Sequence, residues 1–362
     1  MSNNEEILES AVAFLREEVS PRANEIDRDV DALRWALDGL CERELMALRR
    51  PIEYGGPGLN EPMFRDFQEA VARFSGSLAF LQTQHQSAVS MIAKGDNDAL
   101  KQEYLPKMAD GQRLIGIGFS QLRRPGPPML TAQPVDGGYL LNGIVPWVTG
   151  YGLFGEFLIG AALPDGRAVF GIVPFTPAKG IGFGGVMRLA AMESPQTVAA
   201  KLDGFVLEAG RTAFIKPAGW IQNNDMINIA LQGFFALGCA QAGLDQLSSA
   251  WAKKQSAFIK EAHDALSKEL EDCRGQMIDA QTRGDEDVTT NEKLRIRAWA
   301  IDLSVRCAHA GVTAHSGAAN SVDHPAQRVY REALVFTVSA QTSDIMRAKL
   351  ERLVGRGEPP RD

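Results

Sequence analysis

A chain of 362 residues exceeds what one hydrophobic core organises well, so two or three packed units are expected. Hydrophobic residues at 45% and charged residues at 23% give the balance of a soluble globular protein. A formal net charge of -7 gains no counterion-release energy on a polyanion, which argues against a nucleic-acid partner.

No run of about 18 apolar residues suggests a membrane span. The polar, acidic start from Met1 to Glu6 does not read as a secretory signal, so a cytoplasmic protein is expected. Cys41, Cys239, Cys273 and Cys307 lack metal-ligand or redox spacing and read as reduced, mostly buried thiols.

Residues 1–111 read as a helical domain. Ile7, Val12, Leu15 and Val19 recur at helical spacing until Pro21. A helix from Asp31 to Leu48 is followed by a Gly- and Pro-rich loop, then by helices at Met63 to Phe74, Ser77 to Ala93 and Asp98 to Met108. Residues 112–217 change character. Short β-branched runs alternate with Gly, Pro and Asp, and Pro164-Asp165-Gly166 marks a tight turn, as in a small antiparallel β domain. Residues 218–362 return to helical periodicity. Segments near Asn223 to Trp251, Ala257 to Arg283, Asn291 to Ala318 and Pro325 to Val354 predict a four-helix bundle, making the whole an α+β protein.

Four local motifs fall in order along this layout. They are Pro51-Ile52-Glu53-Tyr54-Gly55-Gly56-Pro57-Gly58-Leu59; Gly138-Tyr139-Leu140-Leu141-Asn142-Gly143 with Trp147-Val148-Thr149; Ala236-Leu237-Gly238 with Ala242-Gly243-Leu244-Asp245; and Pro325-Ala326-Gln327-Arg328-Val329-Tyr330-Arg331-Glu332-Ala333 with Thr342-Ser343-Asp344-Ile345-Met346-Arg347. Together they resemble the acyl-CoA dehydrogenase superfamily. The resemblance implies FAD, a CoA thioester or other small substrate, and a homodimer or homotetramer sharing its cofactor sites. Fold does not fix function, so each site is weighed residue by residue.

Trp147 and Thr149 match the family's pair at the flavin ring, where an aromatic wall and a hydroxyl make chemical sense. The alternative is a core Trp and a strand Thr. Phe119 and Ser120 stand on the facing strand, where Ser120 keeps a hydroxyl. Beyond them Leu122-Arg123-Arg124-Pro125 replaces the family's glycine-containing loop; its arginines either meet a phosphate or acidic substrate or are solvated charges. Towards the adenine end the resemblance thins. Phe258 survives while Gln255 replaces a cation, Gly317 alone remains of a glycine cluster, and Thr342 and Asp344 match the closing motif.

The family removes a substrate proton with a Glu. Its usual position is occupied here by Ala340, and the alternative position, on the first bundle helix, by Asn228. Neither side chain accepts a proton at neutral pH. Asp225, Glu332 and His315 are the candidate replacements, each more simply read as a surface or capping residue, and no metal or nucleophile constellation stands out. Three readings follow: a flavin-dependent oxidoreductase without the usual base, an oxygen-using monooxygenase or oxidase on the same fold, and a binding or scaffold protein that has lost FAD.

Overall fold

The computed structural model describes residues 3–227, 229–230, 232–283 and 288–355. Helices α1 (Asn3–Phe14), α2 (Ala23–Ile26), α3 (Val30–Glu42), α4 (Glu61–Phe74), α5 (Gly76–Ala93) and α6 (Asp98–Tyr104) come first. Their starts follow from capping chemistry: Asp29, Asn60, Ser75 and Asn97 each accept a backbone N–H from the first turn of the next helix. The Gly-rich loop before α4 closes on a buried guanidinium. Arg50 donates to the carbonyls of Leu105, Pro106 and Gly55 at 3.2, 3.0 and 2.7 Å. A Cβ on Gly56 would lie 2.0 Å from the Arg50 carbonyl, so only glycine fits there.

Strands β1 (Ile115–Gly118), β2 (Leu130–Val135), β3 (Gly138–Val148), β4 (Glu156–Ala162), β5 (Ala168–Pro174), β6 (Ile181–Phe183), β7 (Val198–Glu208) and β8 (Thr212–Lys216) form one sheet in the order β6-β7-β3-β2-β4-β5-β8, with β1 on β4. Most pairings are antiparallel, as expected. The pairing of β1 with β4 is parallel, as is the single contact of β2 with β4, so the sheet is mixed. The reason is connectivity: the β2–β3 hairpin lies between β1 and β4 in the chain, so β4 can return alongside β1 in the same direction.

The remaining helices are α7 (Trp220–Ile227), α8 (Gly233–Lys254), α9 (Ala257–Thr282), α10 (Thr290–His315), α11 (Pro325–Val338) and α12 (Ser343–Leu353). Two of the four long helices expected from periodicity are therefore each divided in two. The first breaks before Gly233 and the last at Ala340, which holds φ 47°. The motif glycines of α8 set close helix contacts. A Cβ on Gly238 would lie 2.2 Å from the Glu69 carbonyl on α4, and one on Gly243 would lie 2.5 Å from the backbone of Cys307 and Ala308 on α10. All four cysteines are free and buried. Among the described residues no helix is long and apolar enough to cross a membrane.

Candidate functional site

The end of β1 and the end of β3 meet in the middle of the chain's fold. Phe119 is buried, edge-on to Phe170 at 5.6 Å, and carries the Arg123 guanidinium 5.6 Å over its ring. Ser120 then opens a single 3-10 turn, Ser120–Arg123. Its Oγ is buried without a hydrogen-bond partner.

Strict alternation along β3 would put Trp147 on the same face as buried Val145. A register shift between Val145 and Val148 intervenes, and Trp147 is 47% exposed while Val148 is buried. Pro146 lies in the shift, where a missing N–H costs no ladder bond. Thr149 is buried, and its Oγ1 lies 3.0 Å from the Thr197 Oγ1.

The turn after β1 is tied to α7. Arg123 grips both oxygens of Asp225 at 2.7 and 2.8 Å, which settles this arginine as an ion-pair partner rather than a solvated charge. The pair also occupies Asp225, one of the candidate bases. Arg124 meets only the Met129 sulfur at 3.4 Å.

Arg297 of α10 lies beyond Asp225. Its Nη1 donates to the Ile229 carbonyl and the Gln232 Oε1, both at 3.1 Å, and its Nη2 to the Ser339 carbonyl at 3.1 Å. It is 2% exposed, and burial lowers its pKa to about 10, with Asp225 opposing the shift. Lys349 of α12 reaches the same segment, donating to the Thr337 carbonyl and, at 2.9 Å, to the Gln341 Oε1. Ala340 sits exposed between these grips. Asn228 lies outside the described residues.

Glu332 is fully buried and bonded twice by Arg328, at 2.7 and 2.8 Å, with the Gly76 N–H at 3.1 Å. Burial raises its pKa, and the role is structural. His315 meets the Gln246 carbonyl at 3.0 Å, and its ring lies 4.5 Å from that of His324, tilted by 59°. No group of metal-holding side chains occurs among the described residues.

Five buried side-chain polar atoms lack partners among the described residues, and three of them, on Ser120, Gln121 and Arg297, border this one region. Orphaned buried polar atoms are rare in native folds, so each of these calls for an explanation. A cleft of about 170 Å³ also opens beside Gln121, Arg124, Phe170 and Trp220, but it touches neither Trp147 nor Ala340 and is too small for a dinucleotide.

The other proposed cofactor residues lie elsewhere. Phe258, 71% exposed, and Gly317, with open space around it, flank the far end of α10. Lys254 holds that end, donating to the Ala314 carbonyl at 2.6 Å and the Ser316 Oγ at 3.2 Å. Thr342 caps α12 through the Ile345 N–H at 3.3 Å, and Asp344 is exposed beside it. From Arg297 to His315 the helix rises about 27 Å, so one chain presents these groups at opposite ends.

Sequence reasoning missed Arg297, Lys349 and Thr197. The signal for Arg297 was present: Lys293, Arg297, Ala300, Ser304, Cys307 and Gly311 recur on one buried stripe of α10, and a charge there requires explanation.

A helical unit, a mixed sheet and a second helical unit follow one another along the chain. The family model described as "Acyl-CoA dehydrogenase, N-terminal domain" matches residues 2–112. The chain is 25% identical to the mitochondrial isovaleryl-CoA dehydrogenase of Pongo abelii, covering 97% of this chain and 89% of that one. It is 21% identical to the 3-(aryl)acrylate reductase of Clostridium sporogenes, covering 92% and 93%. The solved butyryl-CoA dehydrogenase of Megasphaera elsdenii shares the fold at a TM-score of 0.80 and 18% identity, covering 98% and 99%. Over nearly its whole length the chain is therefore similar to acyl-CoA dehydrogenases, which are flavin-dependent oxidoreductases, and its first 112 residues carry that family's N-terminal domain.

Proposed function

We propose that this chain is an FAD-dependent oxidoreductase acting on an acyl-CoA-like or other small organic substrate, without the carboxylate base of its relatives. The observation that carries the reading is the Ser120 Oγ, without a partner among the described residues, at a turn packed on β3, whose end carries outward-turned Trp147 and, next to it, buried Thr149. A hydroxyl left unpaired in a buried position costs about 1–3 kcal/mol unless a ligand completes it. Trp147 supplies a flat apolar wall, and Ser120 and Thr149 supply hydroxyls that can bond ring heteroatoms. Bound flavin supplies hydride-accepting chemistry; these side chains bind it, orient it and keep water from one face.

The phosphate half has a different source of charge. Gln255 holds left-handed backbone at φ 51° and bonds its own helix, so Lys254 is the cation beside Gly317. Because the two halves of the site lie at opposite ends of α10, an extended cofactor would draw on two copies of the chain, which supports a homodimer or homotetramer.

Ala340 favours an oxygen-using oxidase or monooxygenase as the second reading, since such chemistry dispenses with the α-proton base. The absorption spectrum of the purified protein tests both. A flavin band, and its weakening by about fivefold lower FAD affinity in Ser120→Ala, is the expected result, that ratio corresponding to one lost hydrogen bond. A colourless protein that takes up no added FAD would remove both readings and leave a binding protein.

A further inference from the structure

The other buried arginines each have a carboxylate at hand. Arg50 lies 4.0 Å from Glu44, Arg65 bonds Glu61, and Arg328 bonds Glu332 at 2.7 Å. Arg297 differs. It is the most buried of the four, and all its bonds end on neutral oxygens. Its Nε has no partner among the described residues. A guanidinium in such surroundings stays charged and is costly unless an anion reaches it.

The neighbourhood is short of anions. Among the described residues Asp225 is the carboxylate whose field reaches Arg297, and Arg123 occupies both its oxygens. Lys349 adds a second cation, its pKa lowered by burial and by Arg297. Arg123, Arg297 and Lys349 thus face a single acid. The segment these last two cations hold, from Thr337 to Gln341, opens to solvent at Ala340.

We propose that Arg297, backed by Lys349, receives an oxyanion of the ligand entering beside Ala340, so that the substrate carries an acidic group of its own. A planar fork with one N–H unpaired suits a carboxylate or a phosphate oxygen. The proposal deepens the oxidoreductase reading by naming a feature of its substrate, and it rests on that reading only for calling the ligand a substrate.

The test uses the purified full chain at fixed pH and fixed ionic strength. Glutarate and inorganic phosphate are titrated separately, with sodium chloride as the control, and the melting temperature and the heat of binding are followed. The expected result is a saturable rise of about 2–6 °C with one or both oxyanions and none with chloride. A response to glutarate alone assigns a carboxylate group, and a response to phosphate alone assigns a phosphate group. Arg297→Gln should abolish the response.

Ala340→Glu supplies the anion from the chain itself and should also abolish it. Ala340 already holds left-handed backbone, so this change adds no new conformational demand. No saturable response above chloride, or a response kept in either variant, overturns the proposal. Should Arg297→Gln fail to fold, Ala340→Glu alone decides. A colourless preparation that binds glutarate would keep this inference and remove the oxidoreductase reading. A flavin-bearing preparation indifferent to both oxyanions would do the reverse.

Discussion

At position 340 the backbone holds φ 47° with an alanine, a conformation that non-glycine residues adopt at some cost. The cost is sustained by neighbours: Arg297 bonds the Ser339 carbonyl, and Lys349 bonds the Thr337 carbonyl and the Gln341 side chain. These are the last carbonyls of α11, which no intrahelical N–H can satisfy. The segment is therefore built to one shape, and the side chain it presents is a methyl group. General-base catalysis is worth about 10²–10⁴-fold, so the wild-type chain should leave at most a trace rate of straight-chain acyl-CoA dehydrogenation. Anaerobic mixing of FAD-loaded protein with a panel of acyl-CoA thioesters, followed by loss of the flavin band, measures this. Fast and complete bleaching would mean that another residue takes the proton, with Asp225 the first to substitute.

The elements around His85 make a second argument. His85 sits on α5, fully buried, and accepts the Ile115 N–H at 2.9 Å while donating to the Met108 carbonyl at 2.8 Å. It thereby ties the first helical unit to the opening strand. Burial pushes its pKa down to about 4. The folded chain then holds this ring neutral while the unfolded chain protonates it below about pH 6.5. Stability from this group is full above pH 6.5 and is lost as pH falls toward 4, by about 3 kcal/mol at most. Urea midpoints between pH 7.5 and 4 should fall in the wild type and fall less steeply in His85→Gln; parallel curves would exclude the linkage.

Among the elements, those that follow local chemistry were legible in the sequence. The caps at Asn60, Ser75 and Asn97 and the tight turn at Pro164-Asp165-Gly166 announce themselves through residue type. The division of the last long helix did not. Ser339-Ala340-Gln341 contains no glycine or proline, and the break arises from side chains on α10 and α12 that capture its carbonyls. The outward turn of Trp147 was hidden for a similar reason, since a register shift overrides the alternation that a reader counts. The mixed sheet depends on which strands meet in space, and period-two patterning carries no direction. At the site, the motif residues could be placed from sequence, whereas the uncompensated charge of Arg297 appears only once its neighbours are known.

For the whole molecule the question is what covers its apolar surface. Helix α8 is buried within the chain: Leu237, Leu244 and Leu247 pack in the bundle core, and Gly238 lies against α4. Exposed apolar residues gather most regularly on the last two helices. Tyr330, Leu334 and Val338 recur every four residues on α11, and Met346, Leu350, Leu353 and Val354 share one side of α12, with exposures from 41% to 70%. Such spacing makes a continuous stripe on each helix, which a protein in water covers by association. We predict a closed symmetric oligomer through this pair of helices, seen as a dimer or tetramer by sedimentation at micromolar concentration. Leu334→Lys combined with Leu350→Lys should shift it to monomers, because each change leaves a like charge in a contact that offers it no partner. The monomeric variant should also bind FAD less tightly, since Phe258 and Gly317 lie about 27 Å along α10 from the segment around Ala340 and would meet the same cofactor only across two copies. A wild-type chain that sediments as a monomer would sink both expectations; a double variant that stays assembled would move the interface to another face.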